Sequence, residues 1–308
     1  MTHAYTEDQL VEEPAIKLFA ALGWQTASAM EEVFGPAGTL GRETPGEVIL
    51  LPRLLAALKK LNPTLPTEAI TAAADELARD RSTMSLVAAN QEVYSLLKDG
   101  VKVSISEPAS RGGQKTERVR VVDWQTPGDN DFLLVSQFSV TGSLYTCRPD
   151  LVGFVNGLPV VVIELKKPGV PAKAAFDENL TSYKHEQNGI PQLFWFNAVL
   201  IASNGTDSRI GTITADWERF FEWKRIERED EPRKVSLEVM IRGTCAPARL
   251  LDLMENFTFF SEHKVGPVKI LAQNHQFLGV NKTIAAMDIA RWTRRFESIQ
   301  FWPILMGA

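Results

Sequence analysis

Residues 148–167 read Arg148-Pro-Asp-Leu-Val-Gly-Phe-Val-Asn-Gly-Leu-Pro-Val-Val-Val-Ile-Glu-Leu-Lys-Lys167. Within them Val160-Val-Val-Ile163 is an unbroken β-branched run, and a strand apolar on both faces belongs in the middle of a sheet covered on both sides. Residues 150–155 form a second strand-like run, and Asn156-Gly157 between the two is a hairpin signal, because both residues tolerate a left-handed backbone. Register then decides the chemistry. A plain two-residue loop pairs Val155 with Leu158 and, counting back, Asp150 with Ile163, which throws Asp150 and Glu164 onto opposite faces. One extra residue repairs this: the loop Asn156-Gly157-Leu158 sets Asp150 across from Glu164, and the loop Val155-Asn156-Gly157 leaves them on one face at a diagonal. The sequence therefore predicts a three-residue or bulged hairpin. Glu164 and Lys166, two apart on a strand, leave the sheet on the same side.

Working outward, residues 1–100 read as helical. Leu10, Ile16, Leu18, Phe19 and Leu22 recur near helical spacing, Glu7, Asp8, Glu12 and Glu13 crowd the early turns, and Gly23 sits where a C-terminal glycine belongs. Further helices are predicted at about 45–61, 66–80 and 85–98. From Val101 the texture changes to short β-rich runs at 101–105, 118–124, 132–140, 150–155 and 159–166. A helix follows at 173–187, a buried strand at 198–202 and a short strand at 209–214. Helices followed by strands with one crossover helix give an α/β fold, a mixed central β-sheet flanked by helices. Residues 225–233 read as a linker or solvated helix end, 248–290 as mostly helical, and 292–308 as an apolar tail without periodicity.

The 308 residues are 44% apolar and 23% charged, which excludes a disordered or low-complexity chain. Cys147 and Cys245 are too few for a disulfide framework or a Cys-rich zinc site and point to a reducing compartment. None of His3, His185, His263 and His275 stands at metal-pair spacing, which argues against zinc. No run approaches the roughly 20 apolar residues of a membrane helix, so the expectation is a soluble, cytoplasmic protein. A net charge of −5 argues against a generally basic nucleic-acid coat but permits a local basic groove.

Asp150, Glu164 and Lys166 end strands that are otherwise apolar, and charge in such places costs free energy unless something compensates it. Hard oxygen ligands hold Mg²⁺ through one or two carboxylates. The metal lowers the pKa of a bound water and neutralises charge on a phosphoryl oxygen, while the lysine orients or helps deprotonate the attacking water. Phosphodiester hydrolysis fits this set. Acyl transfer does not, since no Gly-x-Ser-x-Gly occurs and no Ser stands beside a His and an Asp. A bare Glu-x-Lys is an ordinary strand-end ion pair; Pro149-Asp150, the hairpin and the buried strand turn the reading toward chemistry.

Pro149-Asp150 followed by Glu164-Leu165-Lys166 resembles the PD-(D/E)xK nuclease motif. Four longer phrases, at 130–138, 148–159, 162–168 and 193–198, resemble the N-terminal nuclease domain of type I restriction enzyme R subunits, the HsdR family, from about residue 6 to about 284. The resemblance implies a restriction-endonuclease-like core with an N-terminal helical region. It implies that Asp150 and Glu164, joined by the carbonyl of Leu165, bind Mg²⁺, and that Lys166 is the catalytic lysine. Relatives carry an acid on the first helix that completes the metal shell; Glu12 is its match, with Glu13 as competitor, and both also suit a helix N-terminus. The family's Gln-x-x-x-Tyr corresponds to Asn179-Leu-Thr-Ser-Tyr183, so Tyr183 matches as a catalytic-site residue and Asn179 replaces the Gln. That spacing puts both on one helical face; the alternative for Tyr183 is a half-buried core residue. Lys167, Lys173, Asn179, Lys184 and His185 surround the region as a DNA-contacting groove, and each of the charged ones equally suits a solvated surface.

The resemblance divides the chain into a nuclease domain at 1–232 (helical 1–100, sheet core 101–215), a helical link toward the family's motor at 233–284 and an unassigned tail at 285–308. Residues 268–282 resemble the approach to an ATP-driven translocase, yet no Gly-x-x-x-x-Gly-Lys-[Ser/Thr] loop occurs in the 308 residues. ATP is therefore expected only for the full-length family protein, and the chain reads as a shortened R subunit. The implied activity is that of a type I site-specific deoxyribonuclease: Mg²⁺-dependent cleavage of double-stranded DNA, with modification and specificity subunits as partners that choose the sequence, and no membrane. Two other readings stand beside it, a non-catalytic DNA-holding or subunit-docking module and a stand-alone repair or junction nuclease of the same fold.

Overall fold

The computed structural model describes the backbone of residues 8–35, 37–106, 114–228, 230–232, 234–264 and 266–300, and within these the side chains of residues 10–287 other than Ser106 and Gln114. The apolar run at 160–163 falls where its composition demands. Leu158–Leu165 is the fourth strand of a seven-stranded sheet, and all of its residues are buried. The strand order is Gln25–Ser28, Phe132–Ser136, Leu151–Val155, Leu158–Leu165, Val199–Ser203, Ser208–Gly211, Phe221–Glu222. The first pair and the pair of Leu158–Leu165 with Val199–Ser203 are parallel, and the remaining neighbours are antiparallel. The mixed α/β sheet flanked by helices is the architecture read from the sequence.

The hairpin at Asn156-Gly157 solves the register problem by a route the sequence left open. Both turn residues are left-handed, with φ of 52° and 78°, so the loop has two residues and Val155 pairs with Leu158. That is the turn Asn-Gly favours. The extra residue lies further on: Phe154 pairs with Pro159 but Gly153 pairs with Val161, which makes Val160 a bulge. Pro159 has no N–H to give to the ladder, so pairing is weakest next to the slip. Val160 turns its carbonyl to the neighbouring strand, accepting from the Ala198 amide at 2.7 Å. Beyond the bulge Leu151 pairs with Ile163, which puts Asp150 opposite Glu164. The tip of the hairpin is itself buried. The Asn156 amide donates to the Val121 carbonyl at 2.8 Å, and a Cβ on Gly157 would meet the backbone of Leu50 and Leu54 at 2.7 Å.

Helices Glu13–Ala21, Leu51–Leu61, Thr67–Ala78 and Leu86–Asp99 occupy the N-terminal region, close to their expected places. The second begins at Leu51 rather than about 45, with Pro52 in its first turn, where a missing N–H costs nothing. Four expectations need correction. Gln25–Ser28, inside the region read as wholly helical, is a strand; it is short, polar and at the sheet edge, and its parallel partner lies more than a hundred residues away. The run expected at 118–124 is observed as Gln114–Val119, paired with Val101–Ser106 in a separate hairpin. The helix expected at 173–187 runs from Ala172 to Tyr183, with a π-helical turn over Ala175–Leu180. The helical reading of 248–290 holds at both ends, in Pro247–Asn256 and Asn274–Gln300, and misses the hairpin of Thr258–His263 with Gly266–Leu271 between them. Leu250, Met254, Leu271 and Phe277 from this part join the same buried core as the sheet. Glu7, Glu229, Arg233 and residues 301–308 lie outside the described residues, as do the side chains of 288–300.

Candidate active site

Two strand ends meet at Asp150 and Glu164. The Asp150 amide donates to Glu164 Oε1 at 3.3 Å, and the Leu165 amide donates to Asp150 Oδ2 at 2.7 Å. Each carboxylate is thus tied to the backbone of the other strand, as the Val160 bulge allows. Glu164 is 1% exposed. Burial first, and then the negative charge of Asp150, push its carboxyl well above the ordinary carboxylate range. The Asp150 N–H, the Tyr183 hydroxyl and the charge of Lys166 oppose that shift without cancelling it.

Lys166 leaves the same face two residues on and keeps partial contact with solvent. Its Nζ donates to Asn179 Oδ1 at 2.8 Å and approaches Glu178 Oε2 at 3.3 Å. Asn179 Nδ2 donates to Tyr183 Oη at 3.1 Å, and the Tyr183 hydroxyl bonds Glu164. The sequence placed Asn179 and Tyr183 on one helical face. The structure closes the circuit from Lys166 through Asn179 and Tyr183 back to Glu164. The shorter Asn side chain reaches, from within a π-helical turn of the kind often found at functional sites. Tyr183 is buried, as its alternative reading held, yet its hydroxyl also faces the acid. Burial and the Glu164 charge raise its pKa, so it remains a protonated donor.

Of the two acids at the start of the chain, Glu12 is buried and Glu13 points outward to Lys17 at 3.3 Å. Glu12 Oε2 accepts from Gln137 Nε2 at 2.7 Å. Gln137 was not legible in the sequence. It sits just beyond Phe132–Ser136 with φ 57°, a left-handed backbone that costs free energy outside glycine, and its amide donates to the Asp150 carbonyl at 2.7 Å. One residue therefore holds Glu12 by its side chain and the Asp150 strand by its backbone. Among the described residues no group of three or more His, Cys, Asp or Glu is gathered to hold a metal ion; Gln137 links Glu12 to the strand of Asp150.

The expected DNA-contacting lysines are mostly engaged by the chain. Lys173 pairs with Asp177 at 2.7 Å. Lys184 is half-buried, donates to the Ile213 carbonyl at 3.2 Å and has its pKa lowered by burial. The His185 ring accepts from the Gln187 and Asn188 amides, both at 3.3 Å. Lys167 is exposed at the strand end. Cys147 adjoins the acids: burial, and then the Glu164 charge, raise its thiol pKa and favour the thiol over the thiolate.

The donor set suits a hard divalent cation. Two opposed carboxylates, one of them favouring its proton because it is buried and because the other repels its charge, would be relieved by a doubly positive ion that prefers oxygen.

The chain is similar to known proteins over most of its length. Residues 4–219 match the family described as the type I restriction enzyme R protein N terminus. The HindI endonuclease subunit of a type I restriction enzyme from Haemophilus influenzae is 33% identical over 92% of this chain and 26% of that protein. A putative type I restriction enzyme endonuclease subunit, MjaIXP, from Methanocaldococcus jannaschii is 29% identical over 90% of this chain and 27% of its own length. The EcoprrI endonuclease subunit from Escherichia coli is 24% identical over 61% of this chain and 63% of that protein. The chain spans about a quarter of the length of the first two.

Proposed function

Because the chain belongs to the family of type I restriction enzyme R proteins, matching its N-terminal part, we propose that it hydrolyses phosphodiester bonds of double-stranded DNA at Asp150, Glu164 and Lys166 with Mg²⁺. The observation that carries this is the bulge-set register, which brings Asp150 opposite Glu164 with Lys166 on the same face. The carboxylates of Asp150 and Glu164 and the carbonyl of Leu165 would hold the ion, and Glu12, held by Gln137, would complete the acidic set. When bound, the ion neutralises charge on a phosphoryl oxygen and acidifies a water.

The chain's own groups do the rest. Lys166, fixed by Asn179, sets its ammonium where the attacking water and the developing phosphate charge must come. Tyr183 and the Asp150 amide hold the Glu164 carboxylate in one orientation. Lys167 and the exposed strand end supply backbone contact to DNA, whose sequence is chosen by modification and specificity subunits. ATP serves the motor of the full-length family protein in the cytoplasm. Among the described residues no helix is long and apolar enough to cross a membrane.

Nicking of supercoiled plasmid in Mg²⁺ by the full chain, beside its Lys166→Ala variant, is the test. Cleavage that requires both Mg²⁺ and Lys166 is the expected result. Equal cleavage by the two proteins removes this site, and DNA binding without any Mg²⁺-dependent cleavage replaces the nuclease reading with that of a docking module.

A further inference from the structure

Away from the acid pair, a groove of about 930 Å³ opens between the start of helix Leu51–Leu61, the turn before helix Leu86–Asp99 and the segment at 191–196. Its floor is apolar: Leu51, Leu55, Met84, Leu86 and Trp195 all line it, and Leu51 is 43% exposed. Its rim is acidic, with Glu43, Glu47, Asp80 and Glu186. Among the described residues that line it there is no Lys, Arg or His, in a chain that carries 33 basic side chains.

Those two properties select an occupant. Four carboxylates around a cleft repel a phosphate backbone, so the groove does not continue a DNA path. An exposed apolar floor of this extent costs free energy in water and marks a surface that is covered in use. The chemistry that satisfies both is an amphipathic polypeptide segment, with leucine-like anchors on one face for the floor and Lys or Arg flanking them for the rim. We infer that this groove docks a basic amphipathic segment of a partner protein. The inference goes beyond the nuclease reading and stands whether or not Asp150 and Glu164 carry chemistry.

Gly142, another wall residue, packs so tightly on Gly189 that a Cβ would lie 2.0 Å from its carbonyl oxygen.

The test uses the full chain and a fluorescent synthetic peptide of about 14 residues built from Leu and Lys with the leucines on one helical face. Two twins accompany it, one with Glu for Lys and one with Ser for Lys. Only the Leu/Lys peptide should bind appreciably, and it should slow hydrogen exchange of the amides lining the groove. Glu43→Lys with Glu186→Lys should weaken it about tenfold or more, because like charges now face each other across the rim. Glu68→Lys with Asp75→Lys, exposed acids elsewhere that make the same change in net charge, should weaken it less than about twofold. Leu51→Glu, at an exposed position that spares the fold, should also abolish binding. Equal losses in the two charge pairs, equal binding of either twin, or no binding of the Leu/Lys peptide overturns the proposal.

Discussion

Lys166, just past the end of a strand, and Lys269, within one, both have amines that bond an asparagine oxygen, Asn179 Oδ1 at 2.8 Å and Asn90 Oδ1 at 3.0 Å. Their surroundings separate them. Lys166 is partly solvated and stands beside Glu178 and the Asp150–Glu164 pair. Lys269, on the hairpin of 258–271, is 2% exposed and also donates to the Asn197 carbonyl. Its amine lies 4.3 Å from the Tyr94 ring centroid and 5.6 Å from that of Phe260, with no carboxylate partner among the described residues. Burial holds its pKa well below 10.5. The contrast teaches that acids beside a partly solvated amine leave it available for the proposed chemistry, whereas neutral oxygens and aromatic faces around a buried one make a crossbar. Lys269 is that crossbar, tying the hairpin to helix Leu86–Asp99 and to the loop before Val199.

The comparison breaks most visibly in paired Met substitutions. Lys166→Met should lower plasmid cleavage by roughly 10²- to 10⁴-fold with the urea midpoint unchanged, while Lys269→Met should leave cleavage within a few-fold. A reversed pattern in the same assays would show the two roles to be exchanged.

Next in size is Lys269→Ala. It leaves Asn90 Oδ1 and the Asn197 carbonyl without their donor and opens a cavity, so urea unfolding should show a loss of about 2–4 kcal/mol. A loss below about 1 kcal/mol would demote the crossbar.

The two regions should also titrate in opposite senses in metal-free protein. Glu164 binds its proton more tightly folded than unfolded, so its contribution is greatest at low pH and declines as pH rises above its ordinary 4.5 through the folded pKa. Glu164→Gln should remove that decline and stabilise the metal-free fold at neutral pH while abolishing cleavage. Lys269 binds its proton less tightly folded, so stability rises with pH above the folded pKa until its ordinary 10.5 is passed, and Lys269→Met should flatten the rise. Urea midpoints across pH 4 to 10 measure both slopes.

Smaller effects sharpen the acid side. Gln137→Gly keeps the left-handed backbone and deletes the amide that holds Glu12. Titration calorimetry should then show weaker Mg²⁺ binding by a few-fold, with stability changed by less than about 1 kcal/mol. Smallest is Asn179: Asn179→Ala should slow cleavage several-fold by loosening Lys166, and Asn179→Gln, which carries the same amide, should recover most of the rate. Equal rates for both variants would leave Asn179 without a positioning role.

Much of the sheet was legible because its signals are local. The run at 160–163 and the Asn156-Gly157 turn fixed a buried central strand, and the need to face two acids called for one extra residue. Its location was not legible, since a bulge at Val160 depends on how Pro159 meets Phe154 and how Ala198 meets Val160. The hairpin of 258–271 is masked by the helical patterns on either side of it, although Thr258-Phe-Phe and Val268-Lys-Ile-Leu271 carry a strand-like composition. Gln137 and Lys269 gave no signal at all, because a left-handed glutamine and a desolvated lysine are defined by neighbours far along the chain.

Composition, periodicity and spacing by themselves determined the mixed α/β class and singled out two acids and a lysine, and the family resemblance pointed to Asn179 and Tyr183 on one helical face, because each rests on residues within a strand or a turn of one another. Which acid of the first helix turns inward, how Lys173 and Lys184 are engaged by the chain, how Glu12 is tied to Asp150 and where the bulge falls were decided only in the folded chain. Those outcomes hang on contacts between segments tens to hundreds of residues apart, whose free energy exists only once the core has formed.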